Sequence, residues 1–148
     1  ALDNQNIIMK IYDYAFRFTK EDDGWVITCR DLPEAISQAD ANENRIDIAE
    51  GCLQAALEFR IHDNEPLPVA SKARRGEVMI NSPATTAAKA ALYDAMREAG
   101  ISKIELARKM GIDEKEVRRM LDTAHGTKLP RIAEALEVLG RHLHIALA

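Results

Sequence analysis

The stretch Ser102-Lys-Ile-Glu-Leu-Ala-Arg-Lys-Met-Gly-Ile-Asp-Glu-Lys-Glu-Val-Arg-Arg-Met-Leu121 decides how the second half of this chain folds. Leu106, Met110, Ile112, Val117 and Leu121 recur at spacings that place them on the facing sides of two short helices. Ala107 is small enough for those helices to approach closely, and Gly111 tolerates the left-handed backbone of a tight turn. Ser102 with Glu105, and Asp113 with Glu116, have the form of capping boxes. Each feature is common alone, but their joint offsets predict a helix-turn-helix. On its second helix Val117, Met120 and Leu121 take the buried side, which leaves Lys115, Arg118 and Arg119 facing outward. That side of a helix-turn-helix enters the DNA major groove, where arginine pairs with guanine O6 and N7. Ser102 and Lys103, at the start of the first helix, and Lys128, in the loop beyond the second, are expected at backbone phosphates.

Working outward, Ser82 and Pro83 open a helix whose Leu92, Ala95, Met96 and Ala99 share one face before Gly100 ends it. A last helix is expected near Pro130–Leu139, closed by Gly140. Arg141 to Leu147 alternates and predicts a short terminal strand. Its Leu143, Ile145 and Leu147 fall on one side, where a second copy of the strand would cover them in a homodimer or larger homo-oligomer. His142 and His144 also share a side, but no third ligand lies near, so no metal site is assigned.

The first half reads differently. Tyr12, Tyr14, Phe16 and Phe18 alternate as in a half-buried strand, Glu21 to Gly24 supplies a turn, and Trp25 to Arg30 is the hairpin partner. Pro33 breaks that strand, and a third is expected over 34–39. Asp40 and Glu43 form a capping box for a helix at about 42–62, with Ile46, Ala49, Leu53, Ala56, Leu57 and Ile61 on one face. Pro66 and Pro68 keep the chain extended after it, and Glu77 to Asn81 supplies a fourth strand. The fold class is therefore α+β: an N-terminal βββαβ domain over 10–81, then an all-α helix-turn-helix domain over 82–148 with a short C-terminal strand.

Composition bounds the possible functions. The 148 residues are 47% hydrophobic and 30% charged, enough for a packed core. The net charge of −4 divides into −6 over residues 1–80 and +2 over 81–148, an acidic half joined to a mildly basic one. No apolar run reaches membrane-span length. Ala1 to Met9 has no basic segment ahead of an apolar stretch, so a cytoplasmic location is expected. Cys29 and Cys52 lack metal or redox spacing and read as reduced core thiols, with a single disulfide as the alternative. No phosphate loop, nucleophile elbow or zinc motif is present. No catalytic residue and no cofactor are assigned.

Several short motifs carry a family resemblance. Tyr14-Ala-Phe-Arg-Phe18, Gly24-Trp-Val26, Asp31-Leu-Pro-Glu-Ala35 and Asp63-Asn-Glu-Pro-Leu-Pro68 resemble the HicB antitoxins. So do Ala88-Lys-Ala-Ala-Leu-Tyr-Asp-Ala-Met96, Glu105-Leu-Ala-Arg108 and Val117-Arg-Arg-Met-Leu-Asp122. The resemblance spans about residues 10–147. It implies a partial RNase H-like N-terminal domain without nuclease activity, which binds and blocks HicA, a small basic mRNA-cleaving toxin. It also implies a C-terminal domain that binds operator double-stranded DNA. The family's Leu-Pro-Gly-Cys stands here as Leu32-Pro33-Glu34-Ala35.

The resulting expectation is an antitoxin and autorepressor, not an enzyme. Its toxin contact is placed at the corner Asp31, Leu32, Pro33 and Glu34, and its DNA contact at Ser102, Lys103, Lys115, Arg118, Arg119 and Lys128. Two other readings stay open: a transcription regulator with a small-ligand-binding N-terminal domain, and an RNase H-like nuclease.

Overall fold

The computed structural model describes residues 9–148. Ala1 to Ile8, on which most of the leader reading rested, lie outside the described residues. Three strands come first: β1 (Tyr14–Glu21), β2 (Gly24–Cys29) and β3 (Ser37–Asp40). Helix α1 (Arg45–His62) then leads to β4 (Glu77–Ile80). Four helices follow: α2 (Ala84–Ala99), α3 (Lys103–Met110), α4 (Glu114–Leu121) and α5 (Leu129–Val138). The sheet has the order β3-β2-β1-β4, with every pair antiparallel.

The alternation in β1 decides which sheet face is dry. Tyr14 and Phe16 are fully buried beside Ile27 and Cys29 of β2, and Leu53 and Leu57 of α1 close the same core. Burying one such aromatic or aliphatic side chain contributes roughly 1.5–3 kcal/mol. The hairpin turns at Asp22 and Asp23, with Glu21 opposite Gly24. Gly24 has a second reason to be glycine: β3 passes so close that a Cβ there would collide with the Ala39 carbonyl. The third strand starts at Ser37, later than position 34, because Leu32 and Ala35 are pulled into the core by the bend after Pro33.

Two caps differ from the expectation. α1 is capped by Asn44, whose Oδ1 accepts from the N–H groups of Ile46 (3.0 Å) and Asp47 (3.3 Å). Glu43 instead accepts from the Asp40 N–H, which tightens the turn ahead of the helix. Ser82 does not cap α2. Its N–H donates to Asp13 (3.0 Å) and its hydroxyl to the Tyr12 carbonyl, so it fastens the start of α2 to the start of β1. Asn64 ends α1 in the left-handed conformation, φ 58°.

A second core gathers Leu92 and Met96 of α2, Leu106 of α3, Val117 and Met120 of α4, and Ile132 and Leu136 of α5. α2 serves both cores, since Ala90 is buried in the first and Ala88 in the second. Ile61 and Leu67 also touch both.

The terminal strand is not formed. Residues 141–148 have no regular secondary structure. The Arg141 N–H is used to close α5 on the Leu136 carbonyl (2.9 Å), and its guanidinium pairs with Glu98. Leu143 leans on the second core, whereas Ile145 and Leu147 are exposed, so the three do not share one environment. An alternating sequence needs an adjacent strand to pair with, and among the described residues of the single chain this segment has none. Cys29 and Cys52 are both free thiols.

One ion pair ties the sheet to the segment after α1. Arg30 donates to Glu77 (2.9 Å) and to the Lys72 carbonyl (3.2 Å), and Glu77 also accepts from the Arg74 N–H. The Arg30 hydrogen bond, and next the Arg74 N–H, hold the Glu77 carboxyl down at about 2. The folded chain therefore keeps this carboxylate ionised where the unfolded chain protonates it. Its contribution to stability is complete above pH 4.5 and is lost as pH falls towards about 2. Glu77→Gln should flatten the loss of urea resistance across that window. A slope equal to that of the parent would count against the clip.

Candidate nucleic-acid interface

The two helices around Gly111 form as the spacing requires. Ser102 caps α3, its Oγ accepting from the Glu105 N–H (3.1 Å). Gly111 ends it at φ 67°, a left-handed backbone that costs a residue with Cβ roughly 1–2 kcal/mol. Asp113 caps α4, accepting from the Lys115 N–H (2.8 Å). The second half of each capping box is absent. Glu105 receives the Ser102 hydroxyl, not its N–H, and Glu116 reaches away to Arg131 of α5 (3.1 Å).

α4 presents two distinct sides. Val117, Met120 and Leu121 are buried, while Lys115, Glu116, Arg118 and Arg119 are exposed. Arg118 pairs with Glu114 one turn earlier (3.0 Å). Such an exposed pair is worth about 0.3–0.5 kcal/mol, so it gives way to any bidentate partner worth more. Among the described residues, Lys115 and Arg119 have no ion-pair partner. Lys103 is exposed at the first position of α3. Lys128 is exposed at the N-cap of α5. Ser102 is exposed but already occupied as a cap.

The Asp31–Glu34 corner is more tightly wired than its sequence suggests. Asp31 accepts from the N–H (2.7 Å) and hydroxyl (2.8 Å) of Ser71. Glu34 pairs with Arg60 of α1, which holds its carboxyl below the usual range. Leu32 is fully buried, so it anchors the corner from beneath and offers a partner no surface. Pro33 and Glu34 are exposed, with Ile36 beside them.

Sequence reasoning missed several connections. Tyr12, ahead of β1, donates to Asp94 of α2 (2.6 Å). Burial and that carboxylate raise the Tyr12 pKa far above its ordinary value, and burial raises that of Asp94. Arg97 of α2 binds the Asn64 carbonyl (2.8 Å). The partners lie 82 and 33 positions apart, beyond any local pattern. His142 and His144 are exposed, and no cluster of three metal-ligating side chains occurs among the described residues. No described helix is long and apolar enough to cross a membrane.

The chain thus joins a four-stranded antiparallel sheet and its helix to a group of helices in which α4 carries an exposed basic side. The family model described as HicB_like antitoxin of bacterial toxin-antitoxin system matches residues 11–91. The chain belongs to this antitoxin family. It is 34% identical over 132 residues to Antitoxin HicB 2 of Photorhabdus laumondii, covering 89% of this chain and 94% of that one. Antitoxin HicB of Pseudomonas fluorescens is 30% identical over 134 residues, 90% and 92% of the two chains. Antitoxin HicB of Escherichia coli K12 is 29% identical over 124 residues, 84% and 90%. The resemblance read from the short motifs is thus borne out at the level of the family.

Proposed function

We propose that this antitoxin neutralises a small mRNA-cleaving toxin through its first half and represses its own operon by binding operator DNA through α4. We read 10–81 as the core of the toxin-binding domain and 82–148 as the DNA-binding domain, with α2 packing on both. α3 and α4 act as a helix-turn-helix in the cytoplasm, and the chain catalyses no reaction. The observation that carries the DNA reading is the exposed row Lys115, Arg118 and Arg119, set opposite buried Val117, Met120 and Leu121. Lys103 and Lys128 flank it at phosphate positions, and Ser102 offers the N-terminus of α3. Two half-sites would engage two copies of α4, so the binding form is a homodimer or larger. The exposed Ile145 and Leu147 are free to meet the second copy, and two chains per operator duplex is the stoichiometry expected.

Toxin binding rests on family membership and on the −6 charge of the first half, which suits a basic partner. Pro33 and Glu34 supply the accessible part of the contact, while Asp31 fixes the backbone behind them. The test is co-expression with the product of the reading frame adjacent to its own gene, expected to be a small basic protein. Growth should be arrested by that protein alone and restored by the full chain, and the two should co-purify. Persistent arrest with the folded chain abundant would contradict the reading.

A further inference from the structure

The middle of α2 contains a charge that neither activity uses. Lys89 is fully buried, between Ala88 and Ala90. Its ammonium carries three protons, and four oxygens surround it. They are the carbonyls of Arg119 (2.9 Å), Asp122 (2.6 Å) and His125 (2.6 Å) and the hydroxyl of Thr127 (2.9 Å). All four belong to the last turn of α4 and the segment that joins it to α5. The last carbonyls of a helix lack intrahelical partners, and their dipoles favour a cation. A buried ammonium in turn requires acceptors. Burial lowers the Lys89 pKa, but this ring of acceptors favours the protonated form.

Position makes the arrangement informative. The segment between α4 and α5 carries few hydrogen bonds of its own, chiefly the His125 N–H to the Asp122 carbonyl and the Ala124 N–H to the Asp122 carboxylate. It leads directly to Lys128. Arg118 and Arg119 stand on the turn of α4 whose end Lys89 grips. α2 is itself fixed from both sides, by Ala90 in one core and Ala88 and Leu92 in the other.

We propose that Lys89 is a positioning residue for DNA recognition: it locks the C-terminal end of α4 and the following segment to α2, so that Arg118, Arg119 and Lys128 meet double-stranded DNA at one fixed spacing. The proposal rests on the DNA-binding reading above. Lys89 itself touches no DNA. Its role is to hold two sets of contacts in register, those on α4 that read bases and those on the segment that meet phosphates. Losing it should therefore damage discrimination between sequences more than attraction to phosphate.

The test uses the full chain, a duplex carrying the region directly upstream of its own coding sequence, and a scrambled duplex of the same composition. Lys89→Met keeps an unbranched side chain of similar length but cannot donate. With its far-UV circular dichroism unchanged, this variant should lose roughly ten- to a hundredfold of the preference for the upstream duplex, as when one base contact is misplaced. Its affinity for the scrambled duplex, and the salt dependence of that affinity, should stay as in the parent. A folded variant that keeps the parent's preference overturns the positioning role and leaves DNA binding standing. A parent chain with no preference between the duplexes overturns both. If the variant does not fold, nitrogen-15 spectroscopy of the parent decides. A Lys89 ammonium resonance that persists at neutral pH, when those of exposed lysines are lost to exchange, supports the lock. A Lys89 ammonium exchanging as fast as they do refutes it.

Discussion

Leu106→Ala is expected to lower the stability of the folded chain by about 2–5 kcal/mol, the cost of removing a fully buried leucine from a core that relaxes only partly around the gap. The loss is large against the 5–15 kcal/mol that typically separates folded from unfolded chains. It falls on an element too short to stand alone. α3 has only eight residues, well short of the roughly 12–15 at which an isolated helix becomes even marginal in water. The Ser102 cap contributes about 1 kcal/mol, and packing supplies the rest. Leu106 meets Val117, Ile132 and their neighbours in the second core, so its truncation loosens α3 from α4 and α5 together. The measurement is urea unfolding followed by two signals. Far-UV circular dichroism weights the helices. The fluorescence of Trp25, the sole tryptophan, reports the first core, where it lies partly buried beneath Arg45 at 4.0 Å. The helical signal should move to lower urea by at least as much as the tryptophan signal. A change smaller than about 0.5 kcal/mol, the range of surface substitutions, would mean that α3 is not held as described.

What was legible in the sequence was what is encoded locally. Ser102, Gly111 and Asp113 each act within four residues of themselves, and the helix pair around them formed as their offsets required. The same holds for the β1–β2 hairpin, whose alternation of Tyr14, Phe16 and Phe18 survives as a register against Cys29 and Ile27. The βββαβ order of the first half followed from punctuation by Gly24, Pro33 and Pro66. Readings failed where one local signal competed with another or where the partner was remote. Asp40 was read as the cap of α1, but Asn44, directly ahead of Arg45, caps it. Ser82 stands in a capping position yet bonds across the fold to Tyr12 and Asp13. Arg141 to Leu147 alternates like a strand but meets no strand edge within the described residues of its own chain. Lys89 looks like a solvated charge in an alanine-rich helix, because its acceptors are backbone carbonyls and one hydroxyl 30 to 38 positions ahead. On the candidate surface, outward Lys115, Arg118 and Arg119 were readable from helical period alone. Burial of Leu32 and the engagement of Asp31 and Glu34 were not, since Ser71 and Arg60 arrive from 40 and 26 positions away.

The second large effect is on DNA. Arg118 and Arg119 are exposed on one turn of α4, and among the described residues only Arg118 has a competing carboxylate, Glu114. That exposed pair is worth a few tenths of a kcal/mol. A bidentate contact from arginine to guanine discriminates by roughly 1–3 kcal/mol, so both guanidinium groups should turn to the bases when an operator is present. The decisive measurement is the affinity of the full chain for a duplex from upstream of its own coding sequence, taken across a salt series. The parent should bind it in preference to a scrambled duplex, at two chains per duplex. Arg118→Ala with Arg119→Ala should cost roughly 1–3 kcal/mol for each arginine that reads a base, and should erase most of the preference. Lys103→Ala should instead weaken both duplexes alike and make the salt slope shallower by about one. The double variant should still restrain the toxin, because neither arginine lies in the first half. A folded double variant that binds the upstream duplex as tightly and as selectively as the parent would contradict the assignment of α4 as the reading helix.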